Sequence, residues 1–137
     1  MRTVDTYLDS VLESVDRGES AALEAAQQIG FGEDDLHKIG MAVREALVNA
    51  VVHGNRYSAQ KKVHFLIVQD SASLTITVGD EGKGFDLTRV PDPLAEENLL
   101  KESGRGILLI QAFVDEFQVR RLHPQGTEVT MVKYLKP

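Results

Sequence analysis

The 137-residue chain contains no cysteine. That excludes disulfides, thiolate zinc sites and a cysteine nucleophile, and it agrees with a reducing compartment. Basic clusters are missing as well: no run of Lys and Arg exceeds a pair such as Lys61-Lys62 or Arg120-Arg121, and the formal net charge is -6. Direct nucleic-acid binding is not expected of such a surface. No apolar stretch approaches the length of a membrane span, and the opening Met1-Arg2-Thr3-Val4-Asp5 has no apolar signal core. The expectation is a cytoplasmic protein without membrane contact. His37, His64 and His123 have no metal-ligand spacing, so no transition metal is assigned. A Gly-x-x-x-x-Gly-Lys-Ser/Thr phosphate loop is absent, and Gly82 and Gly84 lack the third glycine of a dinucleotide fingerprint because Leu87 stands there.

What is present suits one globular domain. The chain is 42% hydrophobic, enough for a real core at this length and too short for two ordinary domains, so residues 1–137 are read as a single domain. The pattern predicts an edge strand from Thr3 to about Ser10 and a helix from about Leu12 to Ile29, broken by Gly30-Phe31-Gly32. A second helix is expected from about Asp35 to Val52, capped by Asp34 or Glu33 and stopped at His53-Gly54-Asn55. Two hairpins follow from alternating apolar runs: Lys62 to Gln69 with Ser73 to Asp80, and Asp115 to Leu122 with Thr127 to Tyr134. Between them, Gly104 and Gly106 open an apolar helix, Ile107 to Phe113. The stretch from Leu87 to Ser103, with Pro91-Asp92-Pro93 and Glu96-Glu97, has few periodic apolar residues and reads as a lid.

Two places in this layout are costly unless something binds. Asp80 follows Leu74, Ile76 and Val78 at a spacing of two, so it falls on the same strand face as those apolar residues. The Gly82 and Gly84 that follow let the backbone turn and approach a ligand closely. On the second helix, Leu36, Ile39, Val43, Leu47 and Ala50 form one stripe at ~100° per residue. On the other side Glu45 and Asn49 are neighbours one turn apart, flanked by Met41, Ala42, Val48 and Val52. Covering a carboxylate there costs several kcal/mol unless it is paired or ligated. A plain structural reading pairs Glu45 with Arg44 or another base and gives Asn49 a turn to bond. The functional reading takes an acidic base, an amide oxygen for a hard cation, a buried carboxylate and helix N-terminal amides as parts of a Mg-nucleotide site.

These segments resemble a known family. Residues 45–55, Glu-Ala-Leu-Val-Asn-Ala-Val-Val-His-Gly-Asn, are similar to the N box of the GHKL ATPases. Asp80-Glu81-Gly82-Lys83-Gly84 resembles their first glycine box and Gly104-Arg105-Gly106 their second, over about Val15 to Val132. The subgroup resembled is the bacterial anti-sigma factor serine/threonine protein kinases. The resemblance implies an α+β fold: a two-layer sandwich with helices on one face of a mixed, mostly antiparallel sheet (the Bergerat ATP-binding fold). It also implies ATP and Mg²⁺, with Asp80 accepting the adenine amino hydrogen, Asn49 holding the metal and Glu45 acting as general base. Gly82 and Gly84 would pass close to base and ribose, while Gly104, Arg105 and Gly106 would meet the phosphates. Thr127 matches the family's Gly-Thr strand start and would support Asp80 or the adenine. His53 lies in the N box near the phosphates, where a helix-end hydrogen-bonding role outweighs a catalytic one. The implied partners are a sigma factor, a STAS-domain anti-anti-sigma factor as phosphate acceptor, and a second copy of the chain. Two other readings remain: a nucleotide-binding regulator of the same fold without phosphotransfer, and a detached histidine-kinase ATPase domain, which has no histidine before His37 to serve as acceptor.

Overall fold

Alternation decides which face of each strand is covered. The computed structural model describes residues 1–82 and 106–136, and within them five strands form one sheet in the order β1-β2-β3-β5-β4. The strands are β1 (Arg2–Asp9), β2 (Lys62–Gln69), β3 (Ser73–Gly79), β4 (Glu116–Arg121) and β5 (Thr127–Tyr134). Register aligns their inward residues into rows: Ile67 faces Ile76, Ile76 faces Met131, and Met131 faces Phe117. The next row joins Phe65, Val78, Val129 and Val119. All four pairings are antiparallel. The expected two-layer α+β fold with a mostly antiparallel sheet is present, and no parallel pair occurs among the described residues.

Helices α1 (Leu12–Ile29), α2 (Glu33–Val48) and α3 (Gly106–Phe113) complete the two layers. Ala22, Ala25 and Ala26 of α1 and Ile39, Val43 and Leu47 of α2 enter the same buried core as Phe65, Ile67, Leu74 and Ile76. The α2 stripe runs on to Ala50, as the wheel predicts, with Leu36 only partly buried at its start. The start of α2 differs from expectation. Neither Glu33 nor Asp34 caps it; extended Gly32 holds the cap position without a side-chain bond. Glu33, Asp34 and Asp35 instead occupy the first turn, where their charge favours the positive end of the helix dipole. The far end also differs: after Val48 the backbone widens into a π-helical turn, Asn49–Gly54.

No helix among the described residues is long and apolar enough to cross a membrane. The expected lid and the glycine-box residues Gly84, Gly104 and Arg105 lie outside the described residues.

Candidate nucleotide site

Asp80 sits where β3 ends against β5. Its N–H donates to the Thr127 carbonyl at 2.9 Å, extending the β3–β5 ladder by one step. The residue is only 7% exposed, and burial pushes its carboxyl up to about 6, against the lowering effect of backbone N–H groups from Gly82 and Thr127. The Gly82 N–H donates to Asp80 Oδ1 at 2.9 Å. Beside it the Thr127 hydroxyl is buried with no hydrogen-bond partner among the described residues. An orphaned hydroxyl next to an incompletely compensated carboxylate is costly in a closed core, and it suits a polar, planar ligand edge.

The floor of this corner is backbone. A Cβ on Gly82 would lie 1.7 Å from the Gly54 carbonyl oxygen, so only glycine lets the loop after β3 rest on the end of the π-helical turn. That widened turn explains the contact, because it carries Gly54 to the Asp80 carboxylate, where a Cβ would meet Oδ2 at 2.4 Å.

The second cluster joins the last turn of α2, the first residue of the π-helical turn and the start of α3. A Cβ added to Gly106, the first residue of α3, would come to 3.0 Å from Glu45 Oε2 and 3.1 Å from Asn49 Nδ2. The fold therefore brings together three residues that the sequence separates by up to 61 positions (106 − 45). Glu45 does not pair with Arg44, whose guanidinium reaches Asp16 at 2.9 Å and Glu19 at 3.0 Å on α1. The alternative reading of Glu45 as the partner of Arg44 fails on that geometry. Glu45 and Asn49 are both half-buried, and His53 is exposed at the end of the turn. No group of three His, Cys, Asp or Glu side chains that could hold a metal is found among the described residues. A hard cation here would rest on the Asn49 amide oxygen and on ligand oxygens, the arrangement usual for Mg²⁺ with phosphates.

Sequence reasoning gave Asn55 no role. It is 1% exposed, and its amide nitrogen donates to Ser10 Oγ at 2.9 Å and the Lys62 carbonyl at 3.0 Å, while its Oδ1 accepts the Glu81 N–H at 2.8 Å. The only signal available was an asparagine at a helix stop, and that residue type is common there for purely local reasons.

Comparison with known proteins bears directly on this geometry. Residues 9–133 match the histidine kinase-like ATPase domain. The chain belongs to that family. It is 33% identical over 104 residues to proteins named anti-sigma F factor from Bacillus thuringiensis (strain Al Hakam) and Bacillus mycoides (strain KBAB4), covering 74% of this chain and 71% of each relative. Within the ATPase family it therefore falls in the GHKL anti-sigma factor group. A crystal structure of the RsbU and RsbW domains of a Mycobacterium tuberculosis protein superposes with a TM-score of 0.68 at 17% identity, over 98% of this chain. This chain spans 32% of that longer one, and the likeness shows a shared fold.

Proposed function

We propose that this protein is an ATP-dependent serine/threonine kinase and anti-sigma factor: it binds a sigma factor and phosphorylates the STAS-type antagonist that would release it. The observation that carries the reading is the meeting of Glu45 and Asn49 with the first residue of α3, in a fold that also buries Asp80 against Gly54 at the end of the same helical segment. Family membership supports ATP as the ligand, and the relatives' name supports a sigma factor as partner.

Each residue then has a task. The Asp80 carboxylate accepts a hydrogen bond from the adenine amino group, and the Thr127 hydroxyl gains the partner it lacks among the described residues. Gly82 keeps the loop low enough for the base and ribose to pass. The α3 N-terminus at Gly106 would offer its first N–H groups to phosphate oxygens, with Gly84, Gly104, Arg105 and His53 assigned to the same ligand. Asn49 would hold Mg²⁺, which would neutralise phosphate charge there. Glu45 takes the proton of the acceptor serine or threonine hydroxyl as that oxygen bonds to the γ-phosphorus of ATP, while the bond from that phosphorus to the β–γ bridging oxygen breaks and ADP leaves. Positioning and charge neutralisation are most of what phosphoryl transfer requires, which suits one small domain spanning residues 1–137.

The second copy expected of the family would use the sheet side or β1, where Val4 and Tyr7 are exposed. The reaction test is transfer of labelled phosphate from ATP to a STAS-domain protein. Glu45→Gln should lower transfer by about 10²–10⁴-fold, the usual contribution of a general base, while ATP still binds. Undiminished transfer in that variant sinks the assigned base. ATP binding with no transfer by the unaltered protein to any STAS partner favours a regulator that only binds nucleotide.

A further inference from the structure

We infer that Asn55 is a positioning residue for nucleotide recognition, holding the peptide that aims Asp80. This rests on the assignment of Asp80 to adenine, but the tether itself exists without ligand. Three segments meet at the Asn55 side chain: the end of β1 through Ser10, the start of β2 through the Lys62 carbonyl, and the loop after β3 through the Glu81 N–H. Ser10 is itself fastened, since its hydroxyl donates to the Lys61 carbonyl at 2.5 Å. The Asn55 backbone is fixed as well, its N–H donating to the Ala50 carbonyl at 2.8 Å. A fully satisfied buried amide is rigid, and a rigid amide fixes whatever it binds.

What it binds on the loop side is one peptide away from the reading group. Asn55 Oδ1 accepts the N–H of Glu81, and the very next N–H, that of Gly82, donates to Asp80 Oδ1. Holding Glu81 therefore sets the direction of the Gly82 N–H and, through it, the rotation of the Asp80 carboxylate. The same dipeptide acts twice: Gly54 supplies the surface on which Gly82 lies and Asn55 supplies the bond that keeps it there. Glu81 adds a second clasp, its Oε2 accepting the Lys62 N–H at 2.5 Å. The charged groups acting on Asp80 are Lys61 and Glu81, both in these tethered segments.

A merely structural asparagine and a positioning one differ in what they do to Asp80. Ser10→Ala removes one arm of the network but leaves the Glu81 bond; Asn55→Ala removes both. In the ligand-free protein, carbon NMR titration of the Asp80 carboxyl should give a value near 6 for the unaltered chain and for Ser10→Ala. Asn55→Ala should raise it, because the Gly82 N–H is no longer held on the carboxylate. Titration of ATP should show about a tenfold loss of affinity in Asn55→Ala and none in Ser10→Ala, with the rate of transfer at saturating ATP unchanged. An Asp80 titration identical in Asn55→Ala and the unaltered chain overturns the tether. A raised titration with undiminished ATP affinity contradicts the positioning role in recognition; if Asp80→Asn also binds ATP normally, the adenine assignment falls with it. Should Asn55→Ala not fold, hydrogen exchange on the unaltered protein decides: the Glu81 and Gly82 amides should both be protected, and exchange of either at the rate of a free peptide overturns the inference.

Discussion

Two buried charges sit near opposite ends of the β3–β5 ladder, and the fold treats them differently. Lys133, facing Leu74, is 9% exposed and lies 3.7 Å from both Asp35 at the start of α2 and Asp115 before β4. Asp80, opposite Thr127, is equally buried, yet among the described residues it has backbone N–H groups and a distant Lys61 rather than an ion pair. Lys133 is compensated within the molecule, and its cost is settled on folding. Asp80 is left with a carboxyl pushed up to about 6 and, beside it, a Thr127 hydroxyl with no partner among the described residues. The difference separates a charge paired with side chains inside the fold from one that is not, and the second kind is the one proposed here to meet a ligand.

The largest expected effect on stability comes from titrating Asp80. Its folded value, about 6, exceeds the ordinary 3.8, so the fold holds the proton more tightly than the unfolded chain does. The resulting stability is fully present below 3.8 and is lost as pH rises through about 6. Between about pH 4 and about pH 7 this amounts to roughly 2–3 kcal/mol. Urea denaturation of the ligand-free protein should show it losing that much stability relative to Asp80→Asn as pH rises over this window, because the amide does not titrate. A pH-independent difference would mean that Asp80 is no more costly than a surface carboxylate.

Lys133→Met comes next. Its partners are partly exposed and not in close contact, so losing the ammonium should cost about 1–3 kcal/mol, less than breaking a tight buried pair, with no change in ATP affinity. Altered ATP affinity would erase the distinction between the two ends of the ladder. The smallest effect is expected from Arg44→Ala. Its pairs with Asp16 and Glu19 are solvent-exposed on at least one side, so thermal unfolding should reveal a loss of no more than about 1 kcal/mol, and phosphotransfer should not change. A large loss of transfer would return Glu45 to the local pairing that the geometry rejects.

Features that depend on local pattern were legible in the sequence. The α1 boundaries, both hairpins and the burial of Asp80 follow from spacing alone, because strand alternation and helical stripes record which face is covered. The glycine boxes and residues 45–55 pointed to the family that the comparisons bear out. Features that depend on tertiary contact were not legible. Gly32 replaces an acidic cap because three acids already serve the helix dipole. The π-helical turn at Asn49–Gly54 and the four-way use of Asn55 arise from the need to rest one loop on another. Nothing in the residues from 45 to 55 alone shows that Gly106 will lie against Glu45.

The most direct test of the account is calorimetric titration of ATP into the protein and into Asp80→Asn at about neutral pH. Replacing the acceptor oxygen with an amide should weaken ATP binding by at least about tenfold, the equivalent of one charge-assisted hydrogen bond, without any gain in GTP affinity. Unchanged ATP affinity would contradict the reading of this buried carboxylate as the group that recognises adenine.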